Sequence, residues 1–230
     1  MTQKSLSSRQ PLFAPLLAGA TSRDRILAAL GGLVGILAVA LICHRLLPAG
    51  SPYIAAPIGA TAVLVFAVPA SPLSQPWPAL GGNIVSALVG LAAARLVPQP
   101  ELAAGVAIGV AIFLMSLLRC LHAPGGGTAL VTALAAHGSP ASAWLFALLP
   151  VGLNAALLVA AAFLFHRFVS GHSYPHRPAA KLAVPVPIGF HAEDIDRALA
   201  DMGEAFDIGR EDLDLLLSRA EHHALARLKG

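Results

Sequence analysis

Two short stretches of the sequence combine proline, glycine and threonine in one pattern. Residues 57–64 and 124–131 both read Pro-x-Gly-small-Thr-Ala followed by two aliphatic residues. Glycine allows close approach to the backbone, and the first N–H groups of a helix lack partners within it. With the positive end of the helix dipole, such a helix start can bind a small anion. The pattern predicts a solute site between two half-helix N-termini, formed by Gly59, Ala60, Thr61, Gly125, Gly126, Gly127 and Thr128.

The threonines of the two stretches have two interpretations. Thr61 and Thr128 lie one or two residues into their expected helices and could offer hydroxyl groups to the solute. Alternatively, each hydroxyl caps its helix or bonds to a backbone carbonyl. The stretches lack the lysine of a phosphate-binding loop, so that chemistry is not expected.

Other polar residues follow each of these stretches in the sequence. Asn83 and Asn154 interrupt apolar runs. We expect each to bond to the broken backbone nearby, with direct contact to the solute as the alternative. Ser74 and Gln75 lie in the proline-rich connector 71–78, where they either line a vestibule or satisfy the connector's backbone, and we favour the second.

A histidine directly precedes the second stretch. His122 has the side chain whose ordinary pKa is nearest to neutral pH, so it could gate the site or couple transport to a proton. The alternative is a structural role in fixing the loop. His222 and His223 adjoin in the C-terminal region without a further set of ligands, so no metal site and no cofactor are expected.

The composition requires that these residues be positioned inside a membrane. Of the 230 residues, 57% are hydrophobic and 12% are charged, and the mean hydropathy is +0.74. A soluble domain has roughly 25% charged residues, so the chain is predicted to be an integral membrane protein. The net charge of +3 does not indicate nucleic acid binding, because no basic and aromatic residues are interleaved.

Six apolar segments alternate as long, short and long in each half of the chain, and an all-α fold is predicted. The long ones cover residues 26–43, 79–94, 102–118 and 141–165, and the short ones cover 53–68 and 128–136. If the short segments cross, the membrane repeats 26–97 and 101–168 are inverted relative to each other, with six crossings. If they are re-entrant, four crossings remain and the repeats are parallel. The basic residues do not separate these topologies; we favour six crossings because 53–68 nearly spans if its first part is extended.

The ends of the chain are more polar than the membrane repeats. Residues 1–25 are expected to form an N-terminal cytoplasmic arm, and 169–190 a proline-rich linker. Residues 191–230 carry apolar residues at helical spacing and predict a small soluble helical hairpin that docks on another surface. Both termini are expected in the cytoplasm of a bacterium, with the repeats in its inner (plasma) membrane.

The two stretches together resemble the HPP family of small integral membrane proteins. The family carries His-Pro-Pro before Gly-Gly-Ala-Thr-Ala, and the matching stretch here, residues 122–129, has Ala123 in place of the central proline. The other matching residues are 57–64, 71–76 and 81–83. The resemblance implies four transmembrane segments and, from the family's nitrite-transporting members, a nitrite-like anion.

These observations predict a helical transporter or channel for a small inorganic anion. The apolar runs contain no lysine or arginine in their cores, and Glu101, the one acidic residue between positions 26 and 165, is expected in a loop. A cation site is therefore disfavoured, and no enzyme activity is expected. The chain is small for a transporter, so a homo-oligomer is expected. The alternative function is a membrane sensor or anchoring module that signals through the C-terminal hairpin.

Overall fold

The computed structural model describes residues 21–47, 54–136, 144–177, 191–202 and 207–229. Within these ranges the chain is helical and has no strand, which confirms the predicted all-α class. The α-helices are α1 (Ser22–Leu46), α2 (Ile58–Ala67), α3 (Asn83–Leu96), α4 (Pro100–Leu117), α5 (Ala123–Ala136), α6 (Leu153–Phe165), α7 (Ala192–Met202) and α8 (Arg210–Lys229). A 3₁₀ turn covers Pro72–Ser74, and π-helical turns cover Pro78–Gly82, Ala147–Gly152 and His166–Ser170. Most of the predicted N-terminal arm and of the linker 169–190 lies outside the described residues.

Four helical segments of the described chain are long and apolar enough to cross a membrane. They are Ser22–Leu46, Pro78–Leu96, Pro100–Leu117 and Ala147–Ser170. Each contains most of one long run predicted from the sequence. The helices α2 and α5 have 10 and 14 residues, fewer than the roughly 20 of an ordinary membrane helix.

The surfaces of these helices match a lipid environment. On α1, Leu33 is 63% exposed, and on α4, Phe113 is 66% exposed. The buried face of α4 is a narrow stripe that includes Ala107 and Ala111. Small side chains let membrane helices approach closely, and large apolar ones face the lipid tails. The helix α3 is the most enclosed of the four spans and packs against α4 and α5.

Each short helix runs beside one long helix in the same direction. Along α2, the backbone of Ala55 and then of Val65 bonds to successive side chains of the last span, Asn154 and His166. Along α5, the positions of Gly125 and then Ala129 lie against α3 at Ser86 and Gly90.

The two long helices of these pairs run in opposite directions. Tyr174, just after the last span, donates to the carbonyl of Ser74, just before the α3 span. At the other end, Arg95 of α3 lies 5.8 Å from the ring centroid of Trp144, just before the last span. The pairs α2–α6 and α3–α5 are therefore antiparallel to each other.

Two helices begin earlier than their sequence patterns predict. The first apolar run was expected from residue 26, but α1 starts at Ser22 because Thr21 and Asp24 form a capping box. The short helix expected from Thr128 starts at Ala123, with Pro124 at its second position. Proline is favoured in the first turn of a helix, where its missing N–H has no partner to lose. The three glycines therefore lie inside α5, not in a loop before it.

The start of α8 and the residues just before it lie beside the connector between α2 and α3. The Ser71 hydroxyl donates to the Asp207 carboxylate at 2.8 and 2.9 Å. After the last span, His176 Nε2 lies 2.9 Å from Asp212 Oδ1 at the start of α8, and its backbone N–H donates to Gln75 Oε1. These bonds hold the first turn of α8 beside the connector.

Candidate functional site

Four of the side chains singled out in the sequence meet in one buried network. Thr61 of α2, Asn83 of α3, His122 before α5 and Thr128 of α5 are each at most 2% exposed. Thr61 and Thr128 belong to the two glycine-containing stretches, Asn83 belongs to the helix between them, and His122 precedes the second stretch. The start of α2 and the start of α5 are also adjacent, because a Cβ atom at Gly127 would lie 3.8 Å from the Pro57 ring.

Asn83 joins the two threonines. Its Oδ1 accepts a 2.7 Å bond from the Thr128 hydroxyl. Its Nδ2 donates to Thr61 Oγ1 at 3.2 Å and to the Ala79 carbonyl at 2.8 Å. Both Nδ2 hydrogens and the Oδ1 oxygen of Asn83 are thus bonded inside the protein, as expected for a buried amide.

His122 continues the chain of hydrogen bonds toward the connector. Its Nδ1 lies 2.8 Å from the Leu73 carbonyl, and its Nε2 lies 2.9 Å from Thr61 Oγ1. A carbonyl can only accept, so Nδ1 carries the hydrogen and Nε2 accepts from the Thr61 hydroxyl. His122 lies in the loop outside the four candidate spans, and burial lowers the pKa of its ring. The ring is therefore neutral at neutral pH.

The network contains no fixed charge. In the described range 54–136 the charged residues are Arg95, Glu101 and Arg119, and all three are exposed. No three His, Cys, Asp or Glu side chains of the described chain come together as a metal site would require. The available chemistry is therefore hydrogen bonding by hydroxyl, amide and imidazole groups to a small polar solute.

The expected free amides at the start of α2 have partners. The N–H groups of Ile58, Gly59 and Ala60 donate to the carbonyls of the three residues 55–57 at 3.0 to 3.2 Å. At the start of α5, the Gly125 N–H donates to the His122 carbonyl at 2.8 Å. These four N–H groups therefore have backbone partners in the turns that precede the helices, and solute binding at the two helix starts stays a prediction.

The glycines of the two stretches have different surroundings. A Cβ atom at Gly125 would lie 2.7 Å from Ser86 Oγ and 2.9 Å from Met115 Sδ, so close packing of α5 on α3 requires glycine there. At Gly59 and Gly126 a Cβ atom would meet no atom of the described residues within 4 Å. Packing among the described residues therefore does not explain Gly59 or Gly126. Ala60 is likewise exposed.

Asn154 lies outside the central network. Its Oδ1 accepts from the Ala55 N–H at 2.8 Å, and its Nδ2 bonds to Cys43 Sγ at 3.1 Å. It thereby holds the extended approach to α2 against α1 and α6. This is the backbone role that the sequence predicts for it.

The two connector residues also differ. Gln75 Nε2 donates to the carbonyls of Pro69 and Ser71, both at 2.9 Å, so it satisfies the connector's backbone as expected. Ser74 is fully buried, and its hydroxyl has no partner among the described residues. Sequence reasoning overlooked Thr132, which is buried one helical turn after Thr128 and whose hydroxyl also lacks a partner in the described chain. The spacing of four residues from Thr128 is a signal that could have identified it.

Comparisons with known proteins place this arrangement among membrane proteins. The family model described as "HPP, transmembrane region" matches residues 18–175. Two transmembrane proteins of Dictyostelium discoideum are 32% and 31% identical to the chain over 151 residues, which is 64% of this chain. The aligned part covers 53% and 48% of those relatives, so the chain matches about half of their length. No solved structure matches the chain significantly.

Proposed function

Because the chain belongs to the HPP family of transmembrane proteins, we propose that it carries a small inorganic anion across a membrane and binds it at the network of Thr61, Asn83, His122 and Thr128. The observation that carries the proposal is the bridge through Asn83 between the threonines of the two repeated stretches. Polar side chains inside membrane proteins are costly and commonly mark the paths of solutes.

The helix directions support a pathway between two inverted repeats. The pairs α2–α6 and α3–α5 are antiparallel, and the short helices meet at their N-terminal ends. Each long helix of a pair begins after a π-helical turn, and a buried asparagine stands at its first or second position. Transporters with inverted repeats bind solutes near the bilayer midplane at broken helices. We therefore propose that α2 and α5 complete two further crossings, six in all.

The chemistry of the network supports an anion over a cation. Hydroxyl and amide N–H groups can donate to the oxygens of nitrite or a similar ion, and the described ranges 54–136 and 144–177 contain no buried carboxylate that could bind a cation. Nitrite is the substrate that the family resemblance implies. The network's internal bonds must open to admit an ion, so the arrangement described is an occluded one.

Protonation of His122 would change which hydrogens of the network can be donated to an anion. A ring with hydrogens on both nitrogens donates to Thr61, whose oxygen then accepts from both His122 and Asn83. The Thr61 hydrogen is released and can be donated to an anion instead. We propose that His122 couples anion binding to a proton in this way. We also propose that the protein is a homo-oligomer with one pathway in each protomer.

Flux of anions into liposomes that contain the purified protein tests the proposal. We expect nitrite flux above that of nitrate, formate and chloride, and a loss of at least about tenfold in Thr128→Val, since one hydrogen bond to an ion is worth roughly 1.5–3 kcal/mol. The matched control is Ser116→Ala, which removes an exposed hydroxyl that bonds to the Ile112 carbonyl on α4. Absence of flux for every anion in a folded protein would reject the transport function, and full activity of Thr128→Val would reject the site.

A sensor function is the second candidate, supported by contacts of Asp207, just before α8, and of Asp212, in its first turn. Asp207 bonds to Ser71, and Asp212 bonds to His176. The connector that includes Ser71 also includes Leu73, whose carbonyl accepts the hydrogen bond from His122. A change at the network can therefore reach the hairpin through the connector. Hydrogen–deuterium exchange of residues 207–214, with and without nitrite, tests this coupling. Exchange rates that do not respond to nitrite in a protein that transports it would count against the sensor function.

A further inference from the structure

Two hydroxyl groups are buried without a hydrogen-bond partner in the described chain. Ser74 is 0% exposed and Thr132 is 2% exposed, and no described atom bonds to either side-chain oxygen. Burying a hydroxyl group without a partner costs folding free energy. Valine has nearly the shape of threonine, and alanine has nearly the shape of serine, and neither has a hydroxyl group to bury. The two hydroxyls therefore need an explanation other than packing.

Both hydroxyls adjoin the central network, at opposite ends. Thr132 lies one helical turn beyond Thr128 on α5, roughly 5–6 Å along the helix axis. It faces α3, because a Cβ atom at Gly90 would lie 2.9 Å from Thr132 Cβ. Ser74 follows Leu73, whose carbonyl accepts the His122 hydrogen bond. The row of polar groups in the structure therefore extends beyond the network at both ends, to Ser74 and to Thr132.

We propose that Ser74 and Thr132 are the positions at which the solute is hydrogen-bonded as it enters and leaves the central network, so that the path follows the interface of α3 and α5. This inference rests on the proposed transport function and adds a residue, Thr132, and a route. The central side chains satisfy one another, whereas these two hydroxyls lack partners in the occluded arrangement. A partner that is present only during transport accounts for both facts.

The surroundings of Thr132 restrict the solute to a small size. A Cβ atom at Gly90 would lie 2.5 Å from the Ala129 carbonyl oxygen and 3.1 Å from the Ala133 nitrogen, so α3 and α5 touch at this level. The helices must separate slightly for an ion to pass. The hydroxyl can donate to an oxygen of a small anion of a few heavy atoms, and no charged side chain of the described chain is buried there.

The test combines nitrite flux with thermal unfolding for Thr132→Val in the full-length protein. We expect the unfolding temperature in detergent to stay equal to or rise above that of the unmodified protein, because an unpartnered hydroxyl is removed. We expect nitrite flux in liposomes to fall about tenfold, the effect of one lost hydrogen bond. Ser74→Ala should behave in the same way. Thr128→Val provides the contrast, since its hydroxyl bonds to Asn83 and its removal should lower both the flux and the unfolding temperature.

The outcomes separate this inference from the transport function itself. Nitrite flux that is normal in Thr132→Val and in the unmodified protein would overturn the inference and leave the transport function standing. A lower unfolding temperature in Thr132→Val would also overturn it, because the hydroxyl would then have a structural partner. A folded, unmodified protein that moves no anion would overturn both.

Discussion

Each hydrogen bond in the buried network has a defined direction. The Thr128 hydroxyl donates to Asn83, Asn83 donates to Thr61, and Thr61 donates to His122, which donates to the Leu73 carbonyl. Replacing one member leaves its neighbours without partners in a buried site. Single substitutions here are therefore expected to affect both folding and transport, whereas substitution of unpartnered groups affects transport alone.

Asn83→Ala should be the most destabilising change in the network. It removes a donor to two acceptors and the acceptor of the Thr128 hydroxyl, and each buried group left unsatisfied costs about 1–3 kcal/mol. We expect the free energy of unfolding in detergent to fall by about 2–4 kcal/mol, since some groups will find new partners. Ser116→Ala serves as the control, with an expected change within about 0.5 kcal/mol. Equal stability of the two variants would show that the network does not hold α2, α3 and α5 together.

The neutral His122 ring predicts how stability depends on pH. Burial lowers the pKa of the ring below its unfolded value of about 6.5. Below that unfolded pKa the unfolded chain binds a proton that the folded chain does not, so stability falls as the pH decreases through this range. Unfolding temperatures at pH 5 and pH 7.5 should therefore differ more for the unmodified protein than for His122→Gln. An identical pH dependence in both proteins would contradict a buried neutral ring.

At the scale of elements, the contact between α3 and α5 determines where glycine is required. Gly125 allows α5 to lie against Ser86 and Met115, while Gly126, its neighbour, faces open space. Adjacent glycines of the same stretch thus have different functions. Close helix packing accounts for the first of them, and no packing contact among the described residues accounts for the second.

Alanine substitutions at these two positions should therefore have opposite effects on stability. Gly125→Ala places a Cβ atom 2.7 Å from Ser86 Oγ, so it should lower the free energy of unfolding by about 1–3 kcal/mol through overpacking. Gly126→Ala should be neutral or raise it by up to about 1 kcal/mol, because alanine favours helix over glycine. Thermal unfolding of both variants in detergent measures the difference. Destabilisation by Gly126→Ala would show that another surface occupies the open space.

At the scale of the whole molecule, the number of crossings determines which loops share a side of the membrane. With six crossings, the connector at Pro72 and the loop at Leu118 share the side of the C-terminus, and the loop at Gln99 lies opposite. With α2 and α5 re-entrant, the sides of all three loops relative to the C-terminus are reversed. The helix directions described above support the first arrangement.

Labelling of single cysteines with a membrane-impermeant maleimide distinguishes the two topologies. The positions Pro72, Gln99 and Leu118 are all exposed, and the buried Cys43 and Cys120 would be replaced by alanine in the background. We expect Pro72→Cys and Leu118→Cys to react from the side of a C-terminal tag, and Gln99→Cys from the opposite side. The reverse pattern would establish four crossings and would exclude inverted repeats.

The sequence by itself determined the membrane character, the helical class and the positions of the long apolar helices, because these depend on local composition and length. It also identified Thr61, Asn83, His122 and Thr128 as candidates, because polar residues in apolar runs stand out. Only the tertiary structure decided that these four meet while Asn154 holds α2 elsewhere, since that depends on which helices pack together. The missing partner of the Thr132 hydroxyl among the described residues was likewise decided by the packing of α5 against α3. Contacts between distant segments determine it, whereas the early start of α5 follows a local rule, proline in the first turn of a helix.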